Sequence, residues 1–299
     1  MKRLITGGSG FIGKNLIGDI KLSSANIDLT NYDNTINCFR FHSPDVIIHC
    51  AAKHGNYLNM KNNPVDHFTE NMAINMNVLR SAMELDIDKV IMFSSVTAFP
   101  HSVWACEESL LHLGEPHAES YGHGYAKRMI EVLVRAYREQ YGLNYVCMFM
   151  SNVYGPHNDF NVETSTVVSN LIRKCHTAKI KNENLTVYGD GTPERDFMYV
   201  NDINDVVDRV IDNFDDDTGG SVIISNSHPV SIKQLVNIIS DAMDFKGKII
   251  WQPNANVGQS IKVSNNSKLM SMYPDLKFTD IEDGIRMTVE WFLSNVSKI

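Results

Sequence analysis

The sequence predicts an α/β fold built as a doubly wound parallel sheet, and three observations carry that prediction. A glycine run, Gly7-Gly8-Ser9-Gly10-Phe11-Ile12-Gly13, stands between a short apolar segment (Arg3 to Thr6) and residues at helical spacing. Short apolar, β-branched runs then alternate with helix-period segments as far as Met150, which implies right-handed crossovers between parallel strands. Small or hydroxyl-bearing residues (Gly13, Ala52, Ser95) and Asn152 fall at or near the ends of these runs, where ligands bind in such sheets.

The first strand, glycine turn and helix form the context that makes a dinucleotide fingerprint credible. Glycines at 7, 10 and 13 allow a tight turn, close approach of a pyrophosphate and close helix–strand packing, and Ser9, Phe11 and Ile12 complete the loop. Ile20 to Leu22 is a cramped second strand. An acid at its end would hold a ribose 2′-hydroxyl and select NAD; Ser23 and Ser24 stand there instead. Two serines with Lys14 or Lys21 nearby suit a 2′-phosphate, so NADPH is the expected cofactor, with Asp28 and Leu29 toward adenine. The alternative is a register in which Asp28 binds the ribose.

Asp45 to Cys50 reads as a buried third strand running into Ala51 and Ala52, whose small side chains let a cofactor lie close. His49 reads as a packed core histidine. A helix follows from Pro64 to Leu85, with Met72, Met76 and Leu79 on one face as core or interface packing. Lys89 to Ser95 is the fourth strand, Tyr121 to Tyr141 contains a helix, and Tyr145 to Met150 is the fifth strand, leading into Ser151, Asn152 and Val153, which are expected to contact the cofactor. Beyond Gly155, Val167 to Lys179 reads as a helix and Leu185 to Tyr188 as a strand; Phe197 to Val200 and a helix from Asn201 to Phe214 read as a return to the main sheet. Asp215-Asp216-Asp217 reads as a solvated loop, since three adjacent acids cannot all face one ion. A last helix runs from Ile281 to Asn295.

Composition narrows the function. A net charge of −8 argues against a nucleic-acid partner and against a basic membrane surface. No apolar run is long enough to span a bilayer. Met1-Lys2-Arg3 leads straight into the first strand, leaving no room for a signal peptide. Five scattered cysteines (38, 50, 106, 147, 175) contain no CxxC pair, so neither a disulfide framework nor a metal site is expected. The expected setting is the cytoplasm.

Several blocks together resemble a known family. They are Thr6 to Gly13, Tyr125-Ala126-Lys127-Arg128-Met129-Ile130, Asn152-Val153-Tyr154-Gly155-Pro156-His157, Tyr188-Gly189-Asp190-Gly191-Thr192-Pro193 and Ser264 to Leu269. The chain resembles the extended short-chain dehydrogenase/reductases and, among them, the GDP-L-fucose synthase family, which epimerises GDP-4-keto-6-deoxymannose at C3 and C5 and reduces it at C4. The resemblance implies a Rossmann domain (1–157 and 197–226) interleaved with a smaller GDP-sugar domain (158–196 and 227–299), and a homodimer formed through paired helices. It assigns the catalytic serine to Ser95 and the catalytic lysine to Lys127, which also holds the cofactor. Asn152, Lys174, Tyr188, Arg195 and Lys262 match positions around the substrate, and Val257 replaces a family acid.

The departures carry as much information. Four residues before Lys127, where the family has tyrosine, stands His123. The family's epimerase cysteine and histidine fall on Thr97 and near Thr166. Epimerisation beside a ketone needs a base and an acid on opposite faces, and two threonine hydroxyls do not supply them. His101, Cys106 or His157 would have to stand in. Reduction needs only a hydride and one proton donor. His123 is the expected donor; the like charge of Lys127 disfavours its cation, and if the imidazolium is the acid the rate falls as pH rises through neutrality; Tyr121 and Tyr125 are the alternatives. The expectation is therefore an NADPH-dependent C4 keto reductase of a GDP-4-keto sugar, a 6-deoxyhexose or related heptose, without epimerase activity. Its rivals are the full bifunctional enzyme and a non-catalytic NADP(H)-binding paralogue.

Overall fold

The computed structural model describes residues 1–55, 57–214, 219–253 and 260–298; the Asp215–Asp217 run and Val257 lie outside them. Chain order runs β1 (Arg3–Thr6), α1 (Phe11–Asn15), β2 (Ile20–Leu22), α2 (Tyr32–His42), β3 (Val46–His49), α3 (Tyr57–Asn62), α4 (Pro64–Glu84), β4 (Lys89–Ser95), β5 (Ala105–Cys106), α5 (Tyr121–Tyr141) and β6 (Asn144–Met150). It continues with β7 (Asn152–Tyr154), α6 (Val167–Lys181), β8 (Leu185–Tyr188), β9 (Glu194–Tyr199), α7 (Asp202–Asp212), β10 (Ser221–Ile224), β11 (Pro229–Ser231), α8 (Ile232–Ala242), β12 (Ile249–Gln252), β13 (Ile261–Ser264), α9 (Ser267–Met272) and α10 (Ile281–Asn295).

The central sheet is parallel, in the order β10-β6-β4-β3-β1-β2. Strand periodicity sends successive residues to opposite faces. Leu4, Ile47 and Val90 pack with Phe39 of α2, Val78 and Leu79 of α4 and Ile130 of α5. Their neighbours Ile5, Ile48 and Ile91 pack with Ile203, Val206 and Val210 of α7 and Leu269 of α9. Burial on both faces explains why these strands read as continuous apolar runs. A third core gathers Phe160, Leu171, Val187, Leu235 and Phe292 from the second half of the chain.

Two expectations are corrected here. The strand at Phe197 to Val200 does not return to the main sheet. As β9 it joins a second sheet, β11-β9-β13-β5, in which it also pairs with β7. The strand that returns is β10, beside β6. Nor do Met72, Met76 and Leu79 share a surface: Leu79 is fully buried in the core, whereas Met76 is 45% exposed.

The placement of α5 bears on function. A methyl group at Gly122 would lie 2.4 Å from the Pro64 carbonyl oxygen, and one at Gly124 would lie 3.0 Å from the Thr97 carbonyl. Only glycine lets the first turn of α5 press against both the start of α4 and the segment that follows β4. His123 stands between these two glycines.

Candidate active site

A cleft of about 1010 Å³ opens along the carboxyl ends of β1–β4 and β6. Gly7, Ser9, Gly10, Phe11, Ile12 and Gly13 line it, with Ser23, Ser24, Asp28, Leu29, Ala51, Ala52, Ser151 and Val153; so do Ser95, His123 and Lys127. Residues as far apart in sequence as Gly7 and Val153 thus meet in one place. The glycine cradle suits a dinucleotide. A methyl at Gly13 would fall 2.3 Å from the Gly7 carbonyl, and one at Gly7 (φ +70°) would fall 2.7 Å from the Ala51 amide nitrogen. Ser23 donates its hydroxyl to Asn26 Oδ1 at 2.9 Å. Oδ1 of Asp28 accepts from the amide of Thr30 at 2.9 Å and from its hydroxyl at 2.6 Å. Lys21 Nζ donates to the Lys14 carbonyl at 2.9 Å.

The other assigned residues lie elsewhere. Asn152 is exposed on β7 and donates from Nδ2 to the Asp196 carbonyl at 2.9 Å. Arg195 and Lys262 are register partners on β9 and β13, and burial lowers the pKa of both. Two adjacent cations in one poorly solvated place favour an anionic guest. Lys174 on α6 lies 4.4 Å from the ring centre of Tyr188. None of these five lines the glycine-loop cleft.

At the reacting end, Ser95 lines the cleft, and its Oγ accepts from the Thr97 amide at 3.2 Å, capping the short turn that closes β4. Lys127 follows His123 by one helical turn. Its Nζ donates to the Phe93 carbonyl at 3.0 Å, and its own carbonyl accepts from Ser94 Oγ at 2.8 Å. Burial brings its pKa down to about 8. His123 is 5% exposed. Burial, then the charge of Lys127, then His54 and His67, push its pKa down to about 3. The imidazolium weighed from sequence is therefore not populated near neutrality, and His123 is a neutral imidazole.

Thr97 and Thr166 both line the cleft, with Thr166 Oγ1 accepting from Asn158 Nδ2 at 3.3 Å. Of the three stand-ins weighed for epimerisation, His101 and Cys106 lie outside the cleft. His101 packs edge-on against His117, with ring centres 4.4 Å apart, and Cys106 is fully buried with its thiol pushed up to about 11. His157 does line the cleft, its ring 4.8 Å from that of Trp291. Tyr121 and Tyr125 do not; Tyr125 packs beneath the Arg128 guanidinium at 5.2 Å.

Sequence reasoning missed two histidines beside His123. His54 lines the cleft with its ring centre 5.9 Å from that of His123, and buried His67 lies 6.0 Å away on the other contact. The signal for His54 was its place just beyond Ala51-Ala52. His67 gave none, because the crossing of α4 and α5 creates its proximity. Among the described residues no group of three His, Cys, Asp or Glu side chains is placed to hold a metal ion.

A parallel sheet with a glycine-loop cleft and a Ser–His–Lys set at its far end defines a dinucleotide-dependent oxidoreductase of the short-chain type, and the chain belongs to the NAD dependent epimerase/dehydratase family, whose pattern it matches over residues 3–225. Within that family it is similar to a GDP-L-fucose synthase of Dictyostelium discoideum (34% identity; 98% of this chain, 95% of the relative) and to a probable GDP-L-fucose synthase of Drosophila melanogaster (33%; 98% of each). It superposes on the crystal structure of a GDP-L-fucose synthetase from Naegleria fowleri bound to NADP with a TM-score of 0.91, at 30% identity and covering 99% of this chain and 93% of that one.

Proposed function

We propose that this chain is an NADPH-dependent nucleotide-sugar oxidoreductase that reduces the C4 ketone of a GDP-linked 4-keto sugar, a 6-deoxyhexose or related heptose, without epimerising C3 or C5. Family membership and the NADP-bound relative support the class and the cofactor. The observation that supports the finer reading is a buried His123 lining the cleft one turn before Lys127, with threonines at or near both epimerase positions. Homodimer formation through paired helices and residence in the cytoplasm belong to the same proposal. Val65 and Phe68 of α4 are exposed, at 68% and 37%, and all five cysteines are free thiols.

NADPH, when bound, supplies the hydride to C4. The chain's residues manage the charge that develops on the ketone oxygen. His123 hydrogen-bonds that oxygen through a ring N–H and passes it the proton. A neutral imidazole can polarise a carbonyl in this way. Its product is an anion, as is the product of the phenol it replaces, and the Lys127 charge beside it stabilises that anion. The same charge disfavours the imidazolium, so one lysine both keeps His123 neutral and makes it a better acid. Ser95 donates a second hydrogen bond to the same oxygen. Arg195 and Lys262 carry the positive charge that a sugar-nucleotide diphosphate needs.

The test is turnover of GDP-4-keto-6-deoxymannose with NADPH in D₂O, followed by NMR of the product. NADPH oxidation matched by a C4 alcohol with no deuterium at C3 or C5 is expected. Deuterium at either carbon would favour the bifunctional reading, in which His157 is the group within the cleft. Cofactor binding with no oxidation across a panel of GDP-4-keto sugars would identify a non-catalytic paralogue.

A further inference from the structure

We propose that His54 is a specificity residue for this reduction: it hydrogen-bonds the C3 hydroxyl of the sugar and so selects a 3-hydroxy-4-keto sugar over its 3-deoxy counterpart. The inference rests on the reading of the cleft as the seat of a 4-keto sugar with its ketone at His123.

His54 stands just past the carboxyl end of β3, and the residues on either side of it are tied down. Asn71 of α4 accepts from the Lys53 amide at 2.9 Å and donates to the Lys53 carbonyl at 3.0 Å. Lys53 Nζ pairs with Glu70 of the same helix. On the other side, a methyl at Gly55 would fall 2.3 Å from Asn59 Oδ1, so glycine there gives Asn59 its place. That oxygen lies 2.7 Å from Nε2 of buried His67. The His54 side chain itself is exposed and lines the cleft. A fixed backbone thus presents an imidazole to the volume that a ligand occupies.

That imidazole stands at the reacting end. Its ring centre is 5.9 Å from that of His123, with the planes at 67°, and both rings line one cleft with Ser95 and Lys127. Desolvation, then the charge of Lys127, then His67, lower the His54 pKa, so the ring is neutral. A neutral imidazole offers one N–H and one lone pair, and a hydroxyl answers both. A methyl or methylene answers neither. The sugar carries one hydroxyl in the right place. With the ketone oxygen at His123, the substituents of C3 and C5 enter the same end of the cleft. C5 bears a carbon, whereas C3 bears its hydroxyl directly on the ring. This holds for a 6-deoxyhexose and for a heptose alike. A 3-deoxy sugar sets a methylene against the imidazole and leaves the hydrogen bond unmade. Because His54 is open to water, the penalty is that of one ordinary hydrogen bond, about tenfold in affinity for the transition state.

The experiment compares GDP-4-keto-6-deoxymannose with its 3-deoxy analogue in the wild type, His54→Leu and His54→Gln. The wild type should favour the 3-hydroxy substrate by about tenfold in kcat/KM. His54→Leu should lose most of that preference, through a fall on the 3-hydroxy substrate far larger than on the 3-deoxy one. His54→Gln, whose carboxamide both donates and accepts, should keep much of it. A His54→Leu protein with the wild-type preference overturns the proposal. So does an equal loss on both substrates, which would put His54 in the proton transfer with His123 and not on the sugar. Calorimetry of the NADP⁺ complex with GDP-6-deoxymannose and its 3-deoxy analogue reads the same preference without turnover. A protein that reduces neither keto sugar, yet shows the binding preference in the wild type and not in His54→Leu, would keep this inference and reject the reduction. Turnover with no preference for the 3-hydroxyl would do the reverse.

Discussion

His123 and the tyrosine it replaces are chemically closer than their free pKa values of ~6.5 and ~10 imply. In the proposed mechanism both act as neutral acids beside a lysine, because burial and Lys127 push the His123 pKa down. His123→Phe should therefore lower kcat by ~10²–10⁴, the usual worth of one general acid, while NADPH affinity, which depends on the glycine cradle and Lys127, stays unchanged. His123→Tyr should keep most of the activity. The pH profile separates the neutral acid from a cationic one. With its pKa near 3, His123 contributes no limb between acidic and neutral pH. The falling limb belongs to Lys127, which loses its charge as pH rises through about 8. Steady-state kcat against pH should fall there, and Lys127→Arg should move the fall to higher pH, since the guanidinium does not titrate in this range. A limb near the free histidine value that disappears in His123→Tyr would restore the imidazolium and reject the neutral-acid mechanism.

Elements position that residue, and their glycines are the sensitive points. Gly122→Ala sets a methyl 2.4 Å from a backbone carbonyl of α4, which cannot rotate away; overpacking of this kind costs ~1–3 kcal/mol. The variant should lose stability in urea and lose kcat more than NADPH affinity. Gly13→Ala should do the reverse, losing cofactor binding measured by calorimetry, because its methyl meets the Gly7 carbonyl at 2.3 Å. Gly142→Ala, with φ +68° and open space around it, should show only the backbone cost, about 1 kcal/mol, and no kinetic effect. Equal kinetic effects at all three positions would reject the positional reasoning. The same elements show what was legible in the sequence. The strands β1, β3, β4 and β6 and the helix α5 were readable because burial on two faces or one face leaves a periodicity in the residues themselves. The partner of β9 was not readable: Phe197 to Tyr199 reads as a strand in any sheet, and its neighbours β7 and β13 are chosen by packing. Leu79 and Met76 share a helical face by spacing, yet α2 and α5 cover α4 unequally, so one is core and the other surface. His67 carried no signal because its nearness to His123 comes from the packing of another helix.

At the scale of the whole molecule, two buried histidines sit in the half of the chain that carries the glycine loop. His49 ends β3 and joins Thr6 Oγ1 of β1 at 2.7 Å and Asn75 Oδ1 of α4 at 3.2 Å. Burial, then Lys127, pushes its pKa down to about 3. His123 joins the α4 and α5 crossing with a pKa of about 3 as well. Both folded values lie below the unfolded value of ~6.5, so the unfolded chain binds more protons. Stability from these groups is fully present above about pH 6.5 and is lost as pH falls toward about 3. Each adds a slope of at most ~1.4 kcal/mol per pH unit within that window. The third core, around Phe160, Leu171 and Phe292, holds no fully buried histidine among the described residues. Acid should therefore loosen the cofactor half first. Hydrogen exchange at about pH 5 compared with about pH 7.5 should show protection lost in β1, β3 and α4 before α6 and α10. NADPH, which binds only the folded state, should delay that loss by mass action. His123→Tyr should flatten the fall of urea midpoint with acid, because a phenol takes up no proton in this range. If the variant keeps the wild-type slope, or if α6 and α10 exchange first, acid lability arises elsewhere, and the two buried imidazoles do not set the pH limit of the fold.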